Sequence, residues 1–394
     1  MKFNICEYPT VPLPDLLSTI VDNRGKTVPT AETGHILIAT NCIRNENLYP
    51  VYERIRFVPD DIFETWFRAH PEPGDIIFVN KGTPGRVCMV PDPIDFCIAQ
   101  DMMAFRCDPE KVYNKYLFAI LRSERIQKQI QNSHVGSLIP HFKKDHLRLL
   151  EIPLPPMDIQ RVIGDTYFDF SEMIENNKKM NESLLEYART IFEEKIVSTD
   201  NCTEGWHKES LDDIATYLNG LAMQKFRPGE DEDRLPVLKI RELRQGYCDE
   251  STEFCSASID RNYIVSDGDV IFSWSGSLLV DFWCGGDVGL NQHLFKVTSS
   301  RFDKWFYYSW TQHHLSEFIA IAADKATTMG HIKRSELKKA EVYIPPQNVY
   351  QEVGNILQPL YDKVVENRLL NRQIEAARDT ILENLFTGEV GYGE

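Results

Sequence analysis

The chain lacks any run of about twenty apolar residues, so none of its helices is expected to cross a bilayer. Its opening, MKFNICEYPT, lacks the basic and apolar pattern of a secretory leader. The nine cysteines are odd in number, scattered, and without a C-x-x-C pair. That argues against a disulfide framework and a zinc site, and for a reduced, cytoplasmic setting. Positive charge is in short supply: 43 Lys and Arg stand against 59 Asp and Glu, a net charge of −16. Such a chain can hold nucleic acid only through a local basic face, and weakly without help, because phosphate neutralisation supplies most non-specific affinity.

Catalytic signatures are missing as well. No nucleophile elbow occurs. The loop Asn80-Lys81-Gly82-Thr83-Pro84-Gly85-Arg86 is glycine-rich and basic, but lacks the closing Gly-Lys-Ser/Thr of a phosphate-binding loop. The acidic run Glu230 to Asp233 lacks the alternation and closing Glu of a calcium loop. Tyr343-Ile344-Pro345-Pro346-Gln347 lacks the Asp or Asn before the prolines, and the aromatic after them, that grip a flipped adenine. Pro14-Asp15 and Pro91-Asp92 have no matching E-x-K partner for a nuclease core. The chain reads as non-catalytic, with no cofactor or metal of its own.

What it does contain is a long helical pattern. After Pro155-Pro156, which neither a strand nor a helix interior tolerates, Ile163, Tyr167, Phe170, Ile174, Asn177, Asn181, Leu184, Ala188 and Ile191 alternate steps of four and three. This is a seam of roughly four heptads, and it needs a partner helix. The partner lies in the same chain. At a shift of about 190 residues, Pro345-Pro346 falls on Pro155-Pro156, Gly354 on Gly164, Asn367 on Asn177, Asn371 on Asn181, and Thr380-Ile381 on Thr190-Ile191. Upstream, His331 falls on His141, Lys333 on Lys143 and Leu337 on Leu147. The second seam keeps its apolar character at Val353, Leu357, Leu360, Val364, Ile374 and Ile381. The chain is a duplication, each half ending in a long helix.

A variable globular region, I-P-x-P-P, and a long helix with paired Asn, all repeated and ending in ILENLFTGEV, resemble the specificity (S) subunit of type I restriction–modification systems. The resemblance implies an α+β chain. Two mixed-sheet target-recognition domains are joined by two helices that pair as an antiparallel coiled coil. The expected boundaries are 1–151 and 199–343 for the recognition domains, 152–198 and 344–388 for the helical regions, and 389–394 for a tail. It further implies double-stranded DNA with a bipartite target, two methyltransferase subunits, and two restriction subunits where the complex cleaves. S-adenosylmethionine, ATP and Mg belong to those partners. In an antiparallel pair the seam midpoints coincide, so Asn177 is expected near Asn371 and Asn181 near Asn367, where they fix the register.

Taken in order, Leu13-Pro-Asp-Leu-Leu is a helical turn before a strand, echoed by Leu211-Asp-Asp-Ile. Lys26 sits in a cationic turn. Gly74-Asp-Ile-Ile-Phe is a strand entered by a Gly-Asp turn, echoed by Gly268-Asp-Val-Ile-Phe. Phe96 to Cys107 reads as one strand, Tyr113 to Gln131 as one amphipathic helix, and Pro236 to Arg241 as a strand with Lys239 and Arg241 on one face. The basic loop offers Lys81, Thr83 and Arg86 to DNA. The polar segment Asn132 to Lys144 offers Ser133, His134, Ser137, His141, Lys143 and Lys144. In the second half the counterparts are Gln224, Lys225 and Arg227, then Lys239 and Arg241, then Trp274, Ser275 and Ser277, and finally Lys325, Thr327, Thr328, His331, Lys333 and Arg334. Each of these sites also has a plainer reading, as a hairpin turn, a connection, a solvated cation or, for Trp274, a core side chain.

Two other classes share these features. One is the specificity chain of a combined methyltransferase–nuclease of the type II kind. The other is a duplicated coiled-coil scaffold with no DNA role, which would have no need of cations near its domain faces.

Overall fold

The computed structural model describes residues 2–23, 27–133, 140–198, 204–324, 330–388 and 390–391. They form two compact units, residues 1–176 with 372–394 and residues 177–371. Each unit is built on the same plan. In the first, a four-stranded antiparallel sheet runs in the order Leu17–Val21, Met102–Cys107, Ile76–Val79, Val87–Met89. In the second, the order is Thr216–Asn219, Leu294–Thr298, Val270–Ser273, Leu279–Phe282. A second, mixed sheet accompanies each. His35–Ile38 lies parallel to Phe96–Ile98 and antiparallel to Arg56–Val58. Likewise Arg234–Leu238 lies parallel to Val288–Leu290 and antiparallel to Phe254–Ser256. The duplication therefore extends to strand order and direction.

The central strands are buried on both faces, which is why Ile76–Val79 and Val270–Ser273 are nearly continuous apolar runs. Each is entered by a glycine in the left-handed region, Gly74 (φ 84°) and Gly268 (φ 85°), which L side chains rarely adopt. The following Asp holds the turn: Asp75 Oδ2 accepts from Glu72 N at 2.9 Å and Asp269 Oδ2 from Ser266 N at 2.8 Å. A cation from a neighbouring strand compensates each carboxylate, Arg106 at 2.9 Å and Lys296 at 2.8 Å.

Three elements differ from expectation. Phe96 to Cys107 is two strands, Phe96–Ile98 and Met102–Cys107, split by a turn with Asp101 at φ 75°. Tyr113 to Gln131 is two helices, Asn114–Arg122 and Glu124–Ser133, interrupted at Ser123, whose hydroxyl donates to Ile120 O at 2.7 Å. A residue that bonds its own backbone in this way competes with the helix ladder. Pro236 to Arg241 leaves the strand at Leu238, and Ile240–Gln245 is a helix.

The long helices are Met157–Phe192 and Gln347–Thr387. In the second unit, Asn177 Nδ2 donates to Asn371 Oδ1 at 2.7 Å, and Asn367 Nδ2 to Asn181 Oδ1 at 2.9 Å. Rising numbers on one helix meet falling numbers on the other, so the pair is antiparallel. In the first unit the Arg378 guanidinium lies over the Tyr167 ring at 5.0 Å and 3.4 Å from Ser171 Oγ. Ile163, Tyr167, Ile174 and Ala188 are buried on the first helix, and Val353, Leu357, Val364 and Ile374 on the second. Ile381 departs from the expected seam and is exposed, while Leu382 and Leu385 are buried there. A straight helix at 3.6 residues per turn drifts off a seven-residue repeat.

Each globular part is fastened to the helices in the same two ways. A glycine lets a short helix approach: a Cβ on Gly164 would stand 2.5 Å from Tyr116 N, and one on Gly354 2.8 Å from Trp305 Nε1. A glutamate on the opposite long helix, or in the helical turn Glu193–Val197 that continues it, then takes a donor, with Glu383 accepting from Glu124 N at 2.8 Å and Glu193 meeting His313 Nδ1 at 2.7 Å. Phe118 and Leu121 pack on Tyr167 and Leu382 in one core, and Phe306 and Trp310 on Phe192 and Leu357 in the other. Within the first unit, Lys2–Phe3 also pairs antiparallel with Val390–Gly391.

Gly164→Ala adds a methyl against a backbone nitrogen that no rotamer change can move. Helix propensity favours the Ala by about 1 kcal/mol, but overpacking costs about 1–3 kcal/mol. The expected result is a lower denaturant midpoint. Gly354→Ala meets the edge of a side chain instead, and should cost less in the same titration.

Candidate nucleic-acid interface

Two segments read separately in the sequence are joined in each unit. In the first, the basic loop and the polar segment form a short antiparallel ladder: Lys81 bridges His141, Gly82 N donates to Pro140 O at 2.9 Å, and Phe142 N to Asn80 O at 2.7 Å. In the second, Ser275 bridges His331, Gly276 N donates to Gly330 O at 2.8 Å, and Ile332 N to Trp274 O at 3.1 Å. A buried apolar side chain anchors each ladder, Phe142 against Phe78 and Ile332 in the second core. The backbone frame is thus the same, while Asn80-Lys81 in one unit is Trp274-Ser275 in the other.

The side chains on these frames are varied. Thr83 is exposed and Arg86 half-buried. Lys81 stands 3.6 Å from Asp101, and His141 Nε2 lies 3.3 Å from Asn80 Nδ2. Ser133 closes the helix before the polar segment, and its carbonyl meets His146 Nδ1 at 2.7 Å. Lys143 and Lys333 occupy the same position ahead of a helical turn, both exposed. The cations after them, Lys144 and Arg334, reach Asp22 at 3.6 Å and Asp212 at 3.4 Å. Trp274 is half-buried, its Nε1 donating to Asn219 Oδ1 at 3.0 Å, with His293 and His331 rings at 6.2 and 6.3 Å. Ser275 is buried and Ser277 half-buried. Lys26, His134, Ser137, Lys325, Thr327 and Thr328 lie outside the described residues.

In the second unit a cleft of about 460 Å³ is lined by Gln224, Lys239 and Arg241 together with Asn291, Gln292 and His293. Gln224, Lys225 and Arg227 are exposed in and just after the turn Met223–Lys225. Lys239 and Arg241 do not share a strand face. Lys239 caps the helix Ile240–Gln245 and pairs with Glu253 at 2.6 Å, a hydrogen bond that holds the Glu253 carboxyl below its usual range. Arg241 serves the fold: its guanidinium meets buried Glu242 at 2.6 Å, Asp249 at 3.1 Å, Ser251, and Thr252 at 3.3 Å. The turn Asn291-Gln292-His293 drew no attention in the sequence. Its signal was a polar triplet interrupting an apolar run, and in the first unit the shorter polar pair Gln100-Asp101 interrupts the equivalent run.

Burial pushes the Cys97 and Cys107 thiols up to about 12, and those of Cys248 and Cys284 to about 11, so none is a thiolate at neutral pH. Among the described residues no group of three or more His, Cys, Asp or Glu could hold a metal ion, and no helix is long and apolar enough to cross a membrane.

Comparison with known proteins agrees over most of the chain. A family model described as the type I restriction modification DNA specificity domain matches twice, at residues 28–186 and 203–376. The MjaIX type I restriction enzyme specificity subunit of Methanocaldococcus jannaschii is 25% identical over 353 residues, covering 83% of this chain and 80% of that protein. The EcoKI specificity subunit of Escherichia coli is 25% identical over 319 residues, 72% of this chain and 67% of that one. The crystal structure of a type I restriction–modification S subunit from M. genitalium shares the fold, with a TM-score of 0.53 at 15% identity and 96% of each chain covered.

The two cations on the helical turns separate structural from free roles. Arg241→Ala leaves Glu242 buried without its guanidinium and should lower the thermal midpoint of the whole chain, with Arg241→Lys restoring only part because one ammonium cannot bridge four partners. Lys143→Ala should leave the midpoint unchanged. A melt in which both behave alike would remove the distinction.

Proposed function

The chain belongs to the type I restriction modification DNA specificity family, and from that premise we propose that it reads a bipartite DNA sequence, one half-site per recognition domain, and scaffolds two methyltransferase subunits. One observation carries this reading. Both units hold the same two-segment ladder on the same sheet, yet present different side chains on it. Two readers of different half-sites need a shared frame and divergent loops. A scaffold alone needs no such divergence beside exposed cations at matching positions, Lys143 and Lys333.

Phosphate contacts come from Lys143 and Lys333, with Lys144 and Arg334 exchanging their carboxylates for phosphate. Base contacts come from the side chains of the ladders and of the cleft beside Gln224. The recognition domains correspond to 1–151 and 199–343, joined by helical regions 152–198 and 344–388, with 389–394 a tail. The helices supply the partner surface. Met180, Tyr187, Ile356 and Leu370 are exposed on them in the second unit, and Val162, Met173 and Ile381 in the first. Apolar side chains repeated along helices are suited to packing further helices. S-adenosylmethionine, ATP and Mg reside on the methyltransferase and restriction subunits, and the assembly works in the cytoplasm.

The deciding measurement is methylation mapping in a host that carries the chain and its partners. Replacing residues 1–150 with the first domain of another family member should change one half of the target and leave the other intact. A change in both halves, or in neither, sinks the modular reading.

The asparagines set the second expectation. Asn181, Asn367 and Asn371 are buried and Asn177 half-buried. Their paired amides satisfy one another only in one register. Removing both partners of a buried hydrogen bond is nearly neutral or stabilising. Changing all four to Leu should therefore keep or raise the thermal midpoint, while methylation spreads over more than one spacer length. A single unchanged spacer would deny the amides their register role.

A further inference from the structure

We propose that the second unit carries a docking cleft for an extended segment of the methyltransferase subunit, laid along the edge strand Leu279–Phe282 as the chain's own residues 44–49 are laid along the equivalent strand of the first unit. The inference rests on the scaffold role above and names a contact within it. Each four-stranded sheet ends in an edge strand, Val87–Met89 in the first unit and Leu279–Phe282 in the second. Their registers match: Phe78 opposes Val87 and Ile76 opposes Met89, while Phe272 opposes Val280 and Val270 opposes Phe282. Val87 thus corresponds to Val280, and Met89 to Phe282.

An edge strand presents backbone groups that seek a partner. In the first unit the chain itself supplies one. Met89 N donates to Leu48 O at 2.9 Å and Val87 N to Asn45 Oδ1 at 2.9 Å. The Arg122 guanidinium donates to Val87 O at 2.9 Å and to Asn47 O. Glu175 on the long helix accepts from Leu48 N at 3.2 Å, and the Leu48 side chain is buried in the core beneath. Strand, helical hairpin and long helix together grip an extended segment by its backbone and one apolar side chain.

In the second unit the corresponding stretch runs elsewhere. After His35–Ile38 comes only the short turn Thr40–Cys42, but after Arg234–Leu238 comes the helix Ile240–Gln245, closed by Gly246 at φ 84°. Its Leu243 packs in a separate core. Along the edge strand lies a cleft of about 700 Å³, bounded by the same kinds of element: Val280 and Asp281 of the strand, Tyr308 and Ile319 of the hairpin, Leu185 and Arg368 of the long helices. Arg368 takes Phe282 O at 2.9 Å, and Asp281 Oδ1 takes Phe282 N at 2.8 Å. Val280 is only 6% exposed, and among the described residues nothing stands to its edge as Asn45 and Arg122 stand to Val87. Gln312 Oε1, also in the lining, is buried with no hydrogen-bond partner among the described residues. Buried polar groups are paired as a rule, so this wall is built to receive main-chain donors and acceptors.

The occupant follows from what adjoins the cleft. Leu185, Glu186 and Arg189 line it, and Tyr187 between them is 58% exposed on the helix face assigned above to the methyltransferase subunit. Ile319, also in the lining, is 47% exposed. A strand added to a sheet edge, with one apolar side chain in a pocket, is a common mode of peptide capture. Since the first unit closes its own edge, one such cleft serves two methyltransferase subunits, and they bind unequally.

The test uses the full chain and the purified methyltransferase subunit, with hydrogen exchange read by mass spectrometry. Binding should slow exchange about tenfold in the peptide that contains Val280, and leave the peptide with Val87, already paired, unchanged. A photo-crosslinker in place of Ser316, an exposed residue of the lining, should capture one methyltransferase peptide per chain. Ile319→Glu should weaken one of the two methyltransferase binding steps about tenfold in a titration and spare the other, with the thermal midpoint kept. Where that variant does not fold, exchange on the native chain decides. A saturated complex without added protection at Val280, adducts only within this chain or to a second copy of it, or a folded Ile319→Glu that weakens both steps or neither overturns the proposal. If no methyltransferase subunit binds at all, the scaffold role itself falls.

Discussion

Two amide pairs inside an apolar seam constrain the rest of this protein. Asn177 meets Asn371, and Asn367 meets Asn181, with donor to acceptor distances of 2.7 and 2.9 Å. A buried amide left unpaired costs about 1–3 kcal/mol, so a slip of one heptad along the seam orphans several groups at once. Leucine at these places would pack in more than one register. The asparagines thus exchange a little stability for a single axial alignment.

Within each unit the globular part is held to the long helices by contacts that are themselves duplicated. Gly164 and Gly354 permit close approach of a short helix, and Glu383 and Glu193 take a donor from the same helical hairpin on its other side. The hairpin packs on the central sheet through Phe118 and Leu121, or Phe306 and Trp310. The sheet in turn carries the loops whose backbones bond to the segment leading back to the long helix. Within each unit, position is therefore transmitted from the long helices to the ladder through packed side chains and backbone bonds.

The long helices were legible because their period survives substitution: a heptad seam, two Asn and a Pro-Pro start recur after about 190 residues. The strands entered by Gly74-Asp75 and Gly268-Asp269 were legible because turn chemistry is local. The interruptions were harder. Phe96 to Cys107 is apolar enough to hide a turn at Gln100-Asp101, and Ser123 looks like one polar position of an amphipathic helix. Lys239 and Arg241 alternate as strand residues do, but two of their partners, Glu253 and Asp249, are brought in by a later turn that no local pattern announces. The ladder between the basic loop and the polar segment was equally invisible, since Lys81 and His141 are joined by tertiary folding alone.

The acidic character of the chain has a counterpart at the candidate face. Lys81, Lys144 and Arg334 each stand near a carboxylate, at 3.6, 3.6 and 3.4 Å. These pairs are partly exposed, and such pairs hold little energy, about 0–1 kcal/mol. A phosphate can therefore displace the carboxylate, but the gain is smaller than for an unpaired cation. A reader built this way is expected to adhere poorly to arbitrary DNA. That weakness is useful, because the quantity that matters in a genome is the ratio of specific to non-specific binding. Under the proposed function, shadowed cations lower the denominator, base-edge contacts raise the numerator, and the absolute affinity falls to the partner subunits. A net charge of −16 is then consistent with DNA recognition by a protein that acts inside a complex.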